Sequence, residues 1–193
     1  MTTMTTTPTM TPMRSKRPKT PAATGAGETL DVSIAKSSLG LVLVATTKSG
    51  VAAVLIGDDR AALRADLARR FRDATLRDGG ASSAALAVRV VRAIEANAIG
   101  STAIPLDMRG TEFQHAVWRA LRGIPRGSTA TYAEIAKQIG QPGAARGVAQ
   151  ACAANPIAVL VPCHRVVRSD GGLSGYRWGV ERKRALLDRE SAI

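Results

Sequence analysis

At 193 residues the chain has room for one ordinary domain or two small ones, and its 45% apolar fraction is enough to build a core. Its 27 Lys and Arg against 15 Asp and Glu leave a net charge of +12, which favours a polyanionic partner such as nucleic acid. Two cysteines are too few for a disulfide framework and fit a reducing, cytoplasmic setting; LGLVLVA and IAVLV, the longest apolar runs, are too short to cross a bilayer.

Residues 1–27, MTTMTTTPTMTPMRSKRPKTPAATGAG, are rich in Thr and Pro, carry Arg14, Lys16, Arg17 and Lys19 without an acid, and lack the apolar stretch of a secretory signal. This composition predicts a disordered basic tail. From Leu30 to Ile56, β-branched stretches alternate with the turn signals SSLG and TKSG, as a small antiparallel meander would. Leu63, Leu67 and Phe71 then recur every four residues, as do Leu86, Val90 and Ile94. Two helices covering the sheet are expected. IGSTAIPLDMRG, with Gly100, Pro105 and Gly110, breaks the helical pattern, so we place a boundary between residues 28–104 and 105–193.

The second part reads as mostly helical. Thr111 with Gln114 and Thr131 with Glu134 are capping boxes, each opening a helix. Gly140 and Pro142 make a turn before GAARGVAQACAAN, and two short helices around such a turn in a basic segment form a helix-turn-helix candidate. The second of these is nearly without bulk except for Arg146. It reads either as a tightly packed core helix or as one thin enough to approach a narrow groove, and the charge asymmetry favours the latter: residues 111–193 hold 12 basic against 6 acidic groups. Cys152, inside this helix, reads as packing.

PIAVLV, read as a β-like run, leads into Cys163 and His164. A thiolate is the reactive form of cysteine, so such a residue needs a group to take its proton, and His164 is the obvious one. Neighbouring side chains of an extended segment point to opposite faces, which favours a relay through water over direct contact. A carboxylate behind the imidazole would fix its tautomer, with Asp170, Asp188 and Glu190 available. The glycine-rich RSDGGLSGYRWG that follows suits a pocket wall carrying Tyr176.

PCHRV, preceded by NPIAVLV and followed by GGLSGYRWGVERKRALLDRE, together with TYAEIAKQIG and AARGVAQACAANP, resembles the O6-alkylguanine-DNA alkyltransferases, in particular the carboxyl-terminal part of bacterial Ada-type proteins. The resemblance runs over roughly residues 105–190 and more loosely from 28. It implies an α+β protein: a small antiparallel sheet with helices, ribonuclease-H-like, followed by a winged-helix-like DNA-binding unit. It also implies single-turnover transfer of an alkyl group from O6-alkylguanine, and from O4-alkylthymine, onto the protein's own cysteine. By match to the motif, Cys163 would be the acceptor, His164 the base acting through a water, Glu190 the acid behind it, and Asn155 a brace of the turn. Tyr132 would crowd a phosphate and bond the guanine. Arg146 would fill the gap left in the duplex, with Ala144, Ala145, Gly147, Gln150 and Ala151 along the minor groove. Backbone groups near Val166 and Arg177, with Tyr176, would line the pocket. A monomer acting on double-stranded DNA, without cofactor, metal or membrane, is expected. No Cys or His precedes His115, so the zinc ligands of some relatives have no counterpart, and a regulatory role is not implied. A winged-helix regulator would account for the helix pair but gives Cys163, His164 and Glu190 nothing to do, and a cysteine hydrolase would turn over repeatedly.

Overall fold

The structure, a computed structural model, describes residues 27–96, 103–173 and 175–191. The expected tail, apart from Gly27, and Gly100 of the connector lie outside the described residues.

The first part is a mixed sheet with two helices. Strands β1 (Thr29–Ser37), β2 (Gly40–Thr46) and β3 (Val51–Gly57) form the expected antiparallel meander, in register Ser33↔Val44 and Val44↔Val54. Helix α1 (Arg60–Arg70) is capped by Asp59, whose carboxylate accepts from the Ala62 amide, and buries Leu63 and Leu67. Strand β4 (Thr75–Asp78) then runs parallel to β1, giving the order β3-β2-β1-β4, so the sheet is mixed rather than purely antiparallel. Helix α2 (Ala81–Glu95) packs on β1 and β2, and α1 packs on β3 and β2.

Helices α3 (Glu112–Arg122), α4 (Tyr132–Gln138) and α5 (Ala145–Ala154) follow, with both capping boxes formed. Thr131 Oγ1 accepts from the Glu134 amide at 3.2 Å, and the Glu134 carboxylate accepts from the Thr131 amide at 2.6 Å. Trp118, 1% exposed, donates its indole N–H to the Ala151 carbonyl at 3.0 Å and so locks α3 against α5. Strand β5 (Ala130–Thr131) pairs in parallel with β6 (Val166–Val167), and α6 (Val180–Ser191) closes the chain. Among the described residues no helix is long and apolar enough to cross a membrane.

Two segments from the second part dock on the outer side of β3. The Val51 amide donates to Pro105 O and the Asp107 amide to Val51 O, both at 2.9 Å; the Val54 amide donates to Pro156 O at 3.0 Å and the Ala158 amide to Val54 O at 2.9 Å. Gly50 permits the first contact. Its φ is +143°, and a Cβ there would lie 2.4 Å from Pro105 O.

The run after Asn155 is not a strand. Only Ile157 bridges to β3, and the chain then turns tightly, with Val161 N bonding Ile157 O at 3.1 Å and Val159 at φ 67°. Cys163–Arg165 is a single 3₁₀ turn rather than extended chain. An apolar run shows burial but not conformation, and here burial was satisfied by packed turns.

Candidate active site

Cys163 sits at the first position of the 3₁₀ turn, 6% exposed, behind Pro162. The turn is held from below by Asn155, which ends α5 and is fully buried. Asn155 Nδ2 donates to Val161 O at 2.9 Å and to Cys163 Sγ at 3.3 Å, while its Oδ1 accepts from the Ile157 amide at 2.9 Å. One side chain thus satisfies both ends of the strained loop and touches the sulfur.

Behind the turn lies a buried charge network. His164 is fully buried, and its Nε2 lies 3.0 Å from Glu190 Oε1. Arg165 grips the same carboxylate through Nε at 2.9 Å and Nη2 at 2.8 Å, and donates to Ile124 O, just beyond α3, at 2.8 Å. Burial alone would raise the Glu190 carboxyl, but hydrogen bonds from His164 and Arg165 outweigh it and hold it down at about 2. Burial depresses His164 despite the opposing pull of Glu190, so the ring is neutral at pH 7. An ionised carboxylate can only accept, which places the ring proton on Nε2 and leaves Nδ1 with a lone pair. That Nδ1 is buried with no hydrogen-bond partner among the described residues.

The thiol itself is held protonated. Burial pushes Cys163 up to about 11, against the lowering contributions of Asn155 and of the Lys183 charge. At pH 7 only about one thiol in 10⁴ would be ionised at rest. Reactivity therefore depends on a base and not on a standing thiolate.

A cavity of about 360 Å³ opens over the sulfur, lined by Tyr132, Ala149, Cys152 and Ala153 on the α4–α5 side and by Gly175, Tyr176 and Arg177 opposite. Tyr176 packs edge-on against Trp178 and His164, with ring centroids 5.1 and 6.5 Å apart. On α5, Arg146, Gln150 and Ala153 are exposed and Ala144 and Ala145 half-buried.

Three of the expected site residues lie outside the cavity lining and the exposed stripe of α5. Ala151 is 2% exposed and its carbonyl is taken by Trp118, so it faces the core and not a groove. Gly147 points at Phe113, where a Cβ would meet the ring at 3.1 Å, so its small size serves the α3–α5 contact. Val166 is fully buried behind the cavity, and its carbonyl accepts from Lys183 Nζ at 2.6 Å. Sequence reasoning also missed Arg165, Lys183 and the place of Cys152 in the cavity wall. Lys183, Leu186 and Glu190 are the buried residues of α6, a 3–4 spacing that could have separated Lys183 from the charged residues around it.

Fold and site together define a buried cysteine next to a carboxylate-supported imidazole, set beside a helix-turn-helix pair. The family profile described as 6-O-methylguanine DNA methyltransferase, DNA binding domain, matches residues 112–192. The bifunctional transcriptional activator/DNA repair enzyme Ada of Escherichia coli is 47% identical over 167 residues, 86% of this chain and 47% of that protein. The methylated-DNA--protein-cysteine methyltransferase of Mycobacterium tuberculosis is 57% identical over 89 residues, 46% of this chain and 54% of that protein. The chain thus spans about half the length of the curated relatives it matches. Among solved structures, M. tuberculosis O6-methylguanine methyltransferase superposes with a TM-score of 0.67 at 36% identity, over 84% of this chain and 93% of that one. The M. tuberculosis protein described as OGT in complex with DNA gives 0.66 at 36% identity, over 85% and 93%. The chain belongs to the O6-methylguanine-DNA methyltransferase family, with an α+β fold.

Proposed function

We propose that this protein repairs O6-alkylguanine, and O4-alkylthymine, in double-stranded DNA by moving the alkyl group onto Cys163, once per molecule. The observation that carries the reading is the buried turn that sets Cys163, touched by Asn155, next to a His164 whose Nε2 is held 3.0 Å from Glu190 and whose buried Nδ1 has no hydrogen-bond partner among the described residues. His164 Nδ1 takes the thiol proton through a water, and Glu190 stabilises the imidazolium. The sulfur then attacks the alkyl carbon in line; the S–C bond forms, the C–O6 bond breaks, and the proton lost by sulfur finishes on the released guanine. Because O6 is stacked and paired in the duplex, the base must be turned out first, and a damaged pair costs less to open.

The exposed stripe of α5 suits the minor groove, with Arg146 filling the vacated stack and Gln150, Ala144 and Ala145 beside it. Tyr132, at the first position of α4 and on the cavity wall, crowds a phosphate and bonds the guanine ring. Tyr176 and the backbone around Arg177 close the other side, and Asn155 braces the turn. Residues 28–104 serve as scaffold and 105–193 as the transferring unit, acting as a monomer. Two free buried thiols suit a reducing compartment, and we assign the activity to the cytoplasm.

Intact-mass measurement after incubation with a duplex containing O6-methylguanine tests the proposal. A gain of one methyl, mapped to Cys163 and absent in Cys163→Ala, is expected. Retained duplex binding with an unchanged mass would refute transfer and leave a DNA-binding regulator.

A further inference from the structure

The wall of the cavity opposite α5 has little backbone support of its own. Between Gly175 and α6 the chain makes a turn bond from Gly179 N to Tyr176 O at 3.0 Å, and no strand pairing. Side chains hold it instead, and they reach across to the sheet-bearing part. Arg177, in the wall itself, extends to α1, where its Nη2 lies 2.8 Å from Asp66 Oδ1. Arg182 donates to Trp178 O at 2.8 Å, and also to Leu39 O at 2.7 Å and Asp58 Oδ1 at 2.6 Å. The Arg182 anchor is built in tightly: Gly40 has φ +106°, and a Cβ there would meet Gly57 O at 2.8 Å, Asp58 Oδ1 at 2.9 Å and Arg182 Nη2 at 3.2 Å.

The two anchors differ in strength. Arg182 binds carbonyls and a carboxylate at once, but it fixes the chain beyond the wall, at Trp178. At the wall proper Tyr176 packs against His164 and Trp178, and the polar tether to the first part is the Arg177–Asp66 pair, with side chains 38% and 20% exposed. Asp66 is shared, because Arg69 at 3.1 Å and Arg70 at 3.3 Å bond the same carboxylate. Removing its charge would leave three guanidinium groups near one another with nothing to hold Arg177 down. The facing side of the cavity is formed by helical residues and cannot easily give way, so its width follows the position of Gly175–Arg177.

We propose that Asp66, far from Cys163 in sequence and outside the transferring unit, is a specificity-determining positioning residue. Through Arg177 it holds the cavity wall against α1 and limits the size of alkyl group that can reach the thiol. This rests on the alkyl-transfer reading, and it gives the first part of the chain a role in choosing the substrate: small adducts pass, while flat aromatic ones such as benzyl require the wall to move.

The test compares wild type, Asp66→Asn and Asp66→Glu by single-turnover transfer from duplexes carrying O6-methylguanine or O6-benzylguanine, and by amide hydrogen exchange of the peptide covering 175–180. Asp66→Asn should quicken exchange in that peptide and raise the benzyl-to-methyl rate ratio by up to about fivefold, the scale of a partly exposed ion pair. Asp66→Glu, which keeps the charge, should restore both. A general loss of folding would slow both substrates alike and leave the ratio unmoved, which counts against the proposal. Unchanged exchange would overturn the tether whether or not transfer occurs, and faster exchange with an unchanged ratio would overturn its role in selection. A wild-type protein that takes up neither group would instead refute alkyl transfer itself, with the exchange result still reporting on the tether.

Discussion

Replacing Glu190 by Gln removes the charge at the centre of the buried network while nearly preserving its shape. In the folded protein the carboxyl is held at about 2, against an ordinary value of 4.5. A depressed carboxylate contributes stability that is fully present above its unfolded value and is lost as pH falls through its folded one. The difference of about 2.5 units, at about 1.4 kcal/mol each, gives about 3 kcal/mol at pH 7 that depends on Glu190 being ionised. Breaking the pair also strands Arg165, which is 4% exposed, so a pH-independent loss adds to it. Urea unfolding of both proteins between pH 7 and pH 3 measures the two components. The gap between wild type and Glu190→Gln should be largest at pH 7 and shrink steadily below pH 4.5. A gap that stays constant down to pH 3 would mean that the carboxylate is not the charge holding the network, and the fixed tautomer of His164 would go with it.

Three further outcomes follow from the same geometry. Asn155→Ala should cost about 1–3 kcal/mol in urea unfolding, because the Ile157 amide is left buried without a partner while the Val161 carbonyl keeps only its bond from the Cys163 amide, and transfer should slow with it. Since burial depresses His164, the single-turnover rate should hold through pH 6.5 and fall only at lower pH, as the base becomes protonated; a fall already complete at pH 6.5 would contradict a neutral buried ring. Arg146→Ala should slow repair in duplex DNA far more than reaction with a free alkylated base, and equal losses on both would remove its role in the stack.

The sequence was most legible where local chemistry decides structure. Both Thr-x-x-Gln/Glu boxes formed as expected, because a capping box is a closed set of hydrogen bonds within four residues. The meander was legible from alternation and turn residues. Strand β4 was not: TLRD is short and largely exposed, and its pairing comes from the neighbouring β1. PIAVLV misled because full burial erases periodicity, and Val159 adopts a backbone conformation that no β-branched residue would signal. Within the site, PCHRV pointed to Cys163 and His164; the residues alone left Asp170, Asp188 and Glu190 open, the family resemblance implied Glu190, and the fold puts Glu190 3.0 Å from the ring. Arg165 stayed hidden because a charged residue beside a reactive pair reads as solvated until its burial is seen.

The docking of residues 105–107 and 156–158 on β3 has a consequence for handling the protein in pieces. β3 is the last strand on its side of the sheet, and it is apolar and buried along nearly its whole length. With those two segments in place, its outward amides and carbonyls at Val51 and Val54 are occupied. Severed from them, it would offer a bare hydrophobic edge for strand addition by another chain. The same few hydrogen bonds that tie these segments to β3 therefore act as a guard against intermolecular aggregation.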